Sequence, residues 1–219
     1  MFSRVQVVGH GRLGSAVSAR LAERGMVASG PDADLVLLCV PDRVIHEVAE
    51  KTPQGPWIAH MSGAVPLAAL APHNRRFGVH PLQTFRVGGG PEQLDGASAA
   101  ITAETADARE RAHWLASCLN LRPFDLQEDK RILYHAGATM ASNFLVTLYR
   151  VARQLVETAG VPAEGLLPLM QRTIDNGFEL TGPIARGDWA TVDAHLAAIH
   201  EHAPEIEELY RAMARATRP

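Results

Sequence analysis

The chain has 219 residues, 47% of them hydrophobic and 21% charged, enough apolar material for one large or two modest packed domains. A net charge of −3 at pH 7 leaves no basic footprint for nucleic acid or an acidic membrane surface, and no apolar run approaches the ~18 residues of a membrane span. Cys39, in a predicted buried strand, and Cys118, in a predicted helix, are the two cysteines and read as core filling, not as a disulfide framework.

The predicted elements begin at once. "MFSRVQVVGHG" enters a strand directly, so a signal peptide is not expected and the cytoplasm is the predicted location. "RVQVVG" breaks into Gly9, and the apolar positions of "LGSAVSARLAERG" recur at helical spacing to Gly25. "MVAS" has room for only a very short strand. "DLVLLCVPD" is a near-continuous apolar run, as in a strand buried on both faces. "DRVIHEVAEKT" reads as a helix, "GPWIAHM" as a strand, "VPLAALAP" as one or two helical turns and "RRFGVHP" as a strand ended by Pro81. A glycine-rich loop, "VGGGPEQLDG", leads to a strand, "ASAAIT", a helix, "TADARERAHWLASCLN", and a short strand, "RPFDL". Alternating β and α elements predict an α/β fold, a doubly wound, mostly parallel Rossmann-like sheet over residues 1–127.

Residues 128–219 read as entirely helical. One helix is predicted to run unbroken from about Lys130 to Ala159, with Ile132, Ala136, Met140, Phe144, Leu148, Val151 and Leu155 along one apolar stripe. Pro162 is placed in the first turn of the next helix, and "TGPIARGD" separates it from two more, with Asp188 as an N-cap. A small helical domain buries such a stripe poorly alone, so a homodimer through these helices is expected.

"VVGHGRLGSAV" sets Gly9, Gly11 and Gly14 as G-x-G-x-x-G between strand and helix. In a dinucleotide-binding loop the first glycine permits the turn, the second lets backbone reach a pyrophosphate, and the third lets helix pack on strand. Free amides at the helix start face the anion. The expected cofactor, NADP or NAD, would be held by Gly9, Gly11, Arg12, Leu13 and Gly14 with Val40, Pro41 and Ser62. The segment 26–34 is short, however. Only "ASGPDAD" separates Val27 from Leu35, where a full fold has a second strand, a crossover helix and a third strand. The acid that holds the ribose belongs ~20 residues after the first glycine. That count falls on Ser29, with Asp32 a candidate for the ribose and Asp34 a strand cap.

His60 and His80 each end a predicted parallel strand, and ligands of open α/β sheets bind outside the carboxyl ends of strands. A neutral-pH imidazole can give or take the proton that reduction of a carbonyl or imine requires. His80 and His135 are therefore expected to be catalytic, with Ser142 and Asn143 orienting substrate. His60, Gln83, Thr181 and Arg186 are the expected substrate contacts, Arg186 being suited to a carboxylate. His135 and Ser142 stand seven apart and would share a helix face. His195, His200 and His202 lack a clean one-face pair, so no metal is expected.

Five phrases, "GHGRLGSAV", "HMSGAVPLAALAP", "GVHPLQTF", "YHAGATMASNFLVTL" and "LTGPIARGDW", together resemble a family of Rossmann-like oxidoreductases of the 6-phosphogluconate dehydrogenase-like superfamily. That family lies near pyrroline-5-carboxylate reductase and prephenate dehydrogenase. The resemblance spans nearly the whole chain. It implies an N-terminal NAD(P)-binding domain, a C-terminal helical domain that dimerises, and an active site between them. Asn143 is similar in setting to the substrate-positioning asparagine of β-hydroxyacid dehydrogenases, but their lysine four residues earlier is Thr139 here. The function expected is NAD(P)-dependent reduction of a small carbonyl or imine compound. The alternative is a catalytically silent ligand-binding or sensing module that has lost full dinucleotide binding.

Overall fold

The computed structural model describes residues 1–30 and 32–217; Pro31, inside the shortened segment, and the last two residues lie outside the described set. Two compact units divide the chain, Met1–Thr139 and a second that begins at Met140.

The first unit is built on a six-stranded sheet whose spatial order follows the chain. After β1 (Val5–Val8) the chain forms α1 (Arg12–Glu23), touches β1 once at Val27, and crosses to β2 (Leu35–Leu38) on the other edge of β1. That single parallel bridge, Val5 with Val27, is what remains of the expected second strand. α2 (Ile45–Lys51), β3 (Trp57–His60) and β4 (Arg76–Pro81) continue the parallel array. β5 (Ser98–Ala103) then runs antiparallel to β4, and β6 (Arg122–Asp125) parallel to β5 after α3 (Ala106–Cys118).

Side chains alternate across the sheet, and each β2 residue is buried because both faces are covered. Leu35 and Leu37 join Val17 and Leu21 of α1 and Ala112 and Leu115 of α3 in one core. Val36 and Leu38 join Ile45 of α2 and Leu67 and Leu70 in the other. Leu67 and Leu70 belong to a short 3-10 turn, Leu67–Leu70, where the sequence predicted helical turns. Burying each such Leu or Ile contributes about 1.5–3 kcal/mol, so the two faces hold the strand ends rigidly under the loops that follow them.

α4 (Arg131–Thr139) closes the first unit, and a π-helical segment, Met140–Phe144, leads into α5 (Leu145–Thr158). The long helix expected from Lys130 to Ala159 is thus helical but not α throughout. A π turn uses i→i+5 bonds and leaves the chain's helical course intact, so an apolar stripe does not reveal it. Seven residues from His135 to Ser142 are consequently not two plain α turns.

In the second unit, α6 (Leu166–Asp175) follows a 3-10 turn, Ala163–Gly165, capped by Pro162. Proline therefore stands before that turn and not inside the first turn of α6. Asp188 caps α7 (Trp189–His202) by accepting from the Thr191 amide at 3.1 Å. α8 (Glu207–Ala216) follows, and Ile199, Ala203 and Ile206 form a small core with Val151, Leu155 and Tyr210. Met140, Phe144 and Leu148 of the stripe are exposed, as are Val146, Leu167, Leu169 and Phe178 elsewhere in the unit, Phe178 at 72%. Among the described residues no helix is long and apolar enough to cross a membrane.

Candidate functional site

The glycine loop sits at the carboxyl end of β1, and each of its glycines meets a different surrounding. Gly9 has φ 105°, and a Cβ there would stand 2.5 Å from the Cys39 carbonyl oxygen. A Cβ on Gly14 would collide with the Gly9 carbonyl oxygen. Both are glycine because strand and helix approach too closely for anything else. Gly11 is different: it has φ −70°, and a Cβ there meets no protein atom within 4 Å. Packing within the chain does not demand a glycine at Gly11.

Gly11 is the N-cap of α1, with no side-chain cap and no acid in the first turn, so the first amides of the helix are offered outward. They open on a groove of about 510 Å³ lined by Gly9, Gly11, Arg12, Leu13, Val40, Pro41 and Ser62, together with His10, Cys39, Asp42 and Met61. Of the expected cofactor contacts, Gly14 alone lies beneath this surface. The Cys39 thiol, 3.6 Å from Met61 Sδ, is pushed up to about 12 by burial and stays a thiol.

The shortened segment leaves no acid at the carboxyl tip of the second strand. Asp34 accepts from the amides of Ser3 and Arg4 at 2.8 and 2.9 Å, which hold its carboxyl below the usual range. Asp32 pairs with Arg4 at 3.3 Å. Ser3 and Arg4 precede β1, so both carboxylates are engaged at the amino end of the sheet, opposite the glycine loop.

At the carboxyl ends of β3 and β4 a second cluster forms on one face. His60 is fully buried and accepts from the Ser62 amide at Nδ1, 3.3 Å. Burial first, then the charge of Arg131 and the neighbouring His80, lowers its pKa to about 3. His80 lies one strand over and further out, with Nδ1 2.9 Å from the Tyr134 hydroxyl. Burial, His135 and Arg131 lower its pKa to about 4, so both rings are neutral at pH 7. His135 crosses His80 edge-on with centroids 5.9 Å apart. Both rings close over Gly63, whose absent Cβ would lie 2.6 Å from His135 Cδ2 and 2.8 Å from His80 Nε2.

Arg131 fastens this cluster. Its guanidinium fills the space left by Gly78, donates to the Ser62 carbonyl at 3.0 Å, and pairs with Glu128 at 3.3 Å. Glu128 in turn accepts from the Leu67 amide at 2.7 Å, tying the loop after β3 to the start of α4. The Arg131 Nη2 and His60 Nε2 atoms are buried without a hydrogen-bond partner.

Of the other expected residues, Gln83 belongs to the first unit and Ser142, Asn143, Thr181 and Arg186 to the second. Gln83 is exposed and accepts from the Thr84 amide. Ser142 and Asn143 belong to the π segment, 3.4 Å apart through Ser142 Oγ and Asn143 Oδ1. Thr181 and Arg186 are exposed in the turn before α7. Sequence reasoning missed Gly78, Arg131 and Tyr134. The signal available was the i, i+3, i+4 spacing of Arg131, Tyr134 and His135, which places all three on one helix face.

Comparison with known proteins adds the following. The profile of the family described as "Domain of unknown function (DUF2520)" matches residues 97–217. No curated protein matches the chain. Among solved structures, a candidate NADP oxidoreductase from Bacteroides fragilis has a TM-score of 0.80 at 20% identity, covering 98% of this chain and 97% of that one. A Thermotoga maritima protein gives 0.78 at 23% identity, with 97% and 96% covered. The 1-pyrroline-5-carboxylate reductase of Streptococcus pyogenes gives 0.61 at 14% identity, with 98% and 96% covered. At such identities the likeness is one of fold, and the fold is the Rossmann-like one predicted from the sequence.

Proposed function

The chain belongs to the DUF2520 family, and from that premise we propose that it binds a nicotinamide dinucleotide, NADP or NAD, and reduces a small carbonyl or imine compound. The observation that carries this reading is Gly11. It is the one glycine of the loop that the fold does not require, and it lies on an open groove beside an uncapped helix start. Backbone amides of Arg12, Leu13 and Gly14 would hold the pyrophosphate, with Val40, Pro41 and Ser62 along the same groove. A bound nicotinamide supplies the hydride. His80 and His135 would handle the proton at the strand ends, with His60 and Gln83 on the substrate side. Ser142, Asn143, Thr181 and Arg186 of the second unit would orient the substrate. The domain border near 127/128, the cytoplasmic setting and a homodimer through the exposed apolar helix faces belong to the same proposal.

A second reading has its own observation. With Asp32 and Asp34 turned to the amino end of the sheet, the adenosine end lacks its usual acid, as expected of a catalytically silent ligand-binding or sensing module that has lost full dinucleotide binding. Fluorescence titration of the full chain with NADPH and NADH tests the proposal. Saturable binding of either, followed by consumption of the reduced nucleotide with a panel of small ketones and cyclic imines, supports the reductase. No response to either nucleotide overturns the reductase and supports the module.

A further inference from the structure

We propose that Tyr134 is a positioning residue: its phenol donates to His80 Nδ1, keeps the imidazole proton on Nε2, and so makes the site a hydrogen-bond donor toward a ligand atom that can only accept. The ligand class, a carbonyl oxygen or an imine nitrogen, rests on the reductase reading above; the direction of the hydrogen bond does not.

The geometry leaves two arrangements for the 2.9 Å contact between Tyr134 Oη and His80 Nδ1. Either the phenol donates to a bare Nδ1, or a protonated Nδ1 donates to the phenol oxygen. A phenol O–H is a far stronger acid than an imidazole N–H, and an imidazole sp² nitrogen is a far stronger base than a phenol oxygen. Matching the better donor with the better acceptor runs the bond from oxygen to nitrogen. Both partners are neutral at pH 7. Burial pushes the Tyr134 hydroxyl up to about 12, and burial, with His135 and Arg131 beside it, opposes a second proton on His80. A neutral imidazole carries one proton, so fixing Nδ1 as acceptor leaves Nε2 as donor.

Neither ring is free to turn away. Tyr134 meets His80 edge-on at 5.6 Å and 85°, and Phe124 braces Tyr134 from another side at 5.9 Å. His80 Nε2 lies over Gly63, where a side chain would fill the space in front of it. The groups facing His80 are Tyr134, His135 and Arg131 from α4 and its first turn, with His60 from β3. None of them offers Nε2 an acceptor in the hydrogen bonds of the structure, so the donor is left for a ligand. A catalytic imidazole held neutral can donate to a carbonyl in this way, without becoming cationic first.

Long-range nitrogen–proton correlation NMR of the histidine side chains tests this on the labelled full chain and on Tyr134→Phe, which keeps the ring contacts and removes only the hydroxyl. The wild type at pH 7 should show His80 protonated on Nε2. In the variant the ratio of tautomers should move toward Nδ1–H by roughly 2- to 10-fold, the worth of one neutral hydrogen bond, and the His80 titration midpoint should rise. His80 protonated on Nδ1 in the wild type overturns the proposal even if the variant fails to fold, and so does an unchanged tautomer ratio in a folded variant. Failure of NADPH and NADH to bind the wild type would refute the function above while leaving the tautomer result standing.

Discussion

Replacing Gly63 by Ala tests whether the His80–His135 contact is as close as the structure has it. The added methyl would lie 2.6 Å from His135 Cδ2 and 2.8 Å from His80 Nε2, where ordinary contact begins at 3.4 Å. The shortfalls are about 0.8 and 0.6 Å, and neither ring terminates a flexible chain that can swing clear. Overpacking of this size costs about 1–3 kcal/mol. Moving His80 away also weakens its bond to Tyr134, for about 0.5–1.5 kcal/mol more. A loss of about 2–4 kcal/mol lowers the melting temperature of a chain of this length by roughly 5–15 °C. Thermal unfolding by circular dichroism reads the loss directly, and the side-chain NMR signals of His80 and His135 should shift with it. A melting temperature within 1 °C of wild type, with both histidine signals unmoved, would refute the packing described over Gly63.

Gly11→Ser should fold with equal or greater stability, by roughly 0.2–0.5 kcal/mol, because serine is a good N-cap and its Cβ meets no protein atom; nucleotide affinity should fall at least tenfold as Oγ competes for the helix amides, read by parallel melting and NADPH titration. Stability should also drop with acidification. His60 and His80 have folded pKa values near 3 and 4 against 6.5 when unfolded, so between pH 6.5 and about 4 the unfolded chain binds more protons; the unfolding free energy from urea titration should fall as pH falls, by up to about 1.4 kcal/mol per pH unit for each ring. Glu128→Gln should cost about 1–3 kcal/mol in urea unfolding, since it strips the counter-charge from the buried Arg131 while Glu128 itself is 40% exposed.

What could be read from the sequence was what local rules decide. The glycine loop followed from three glycines between a β run and a helical run, and β2 from four successive apolar residues. Helix α3 was read from "TADARERAHWLASCLN", whose first residue, Thr105, caps it by accepting from the Ala108 amide. The antiparallel β5 was not legible, because the loop from Leu82 to Ala97 is long enough to return the chain in either direction. Nor was the diversion of Asp34, since its partners Ser3 and Arg4 lie about thirty positions away. In the site, His80 was picked for its chemistry and its place at a strand end, and His135 for its chemistry and its helix face. The residues that hold them, Tyr134, Arg131, Gly63 and Gly78, come from three separate stretches and matter only through contacts that folding creates. The π segment escaped for a different reason: it changes hydrogen-bond spacing and leaves composition untouched.

Amide chemical-shift mapping with NADPH added to the wild-type chain tests the central claim most directly. If the open end of α1 holds the pyrophosphate, the amides of Arg12, Leu13 and Gly14 should move in a saturable way, with those of Val40 and Ser62 following along the groove. Saturation that leaves these amides still and perturbs others, or no response at all, would contradict the account.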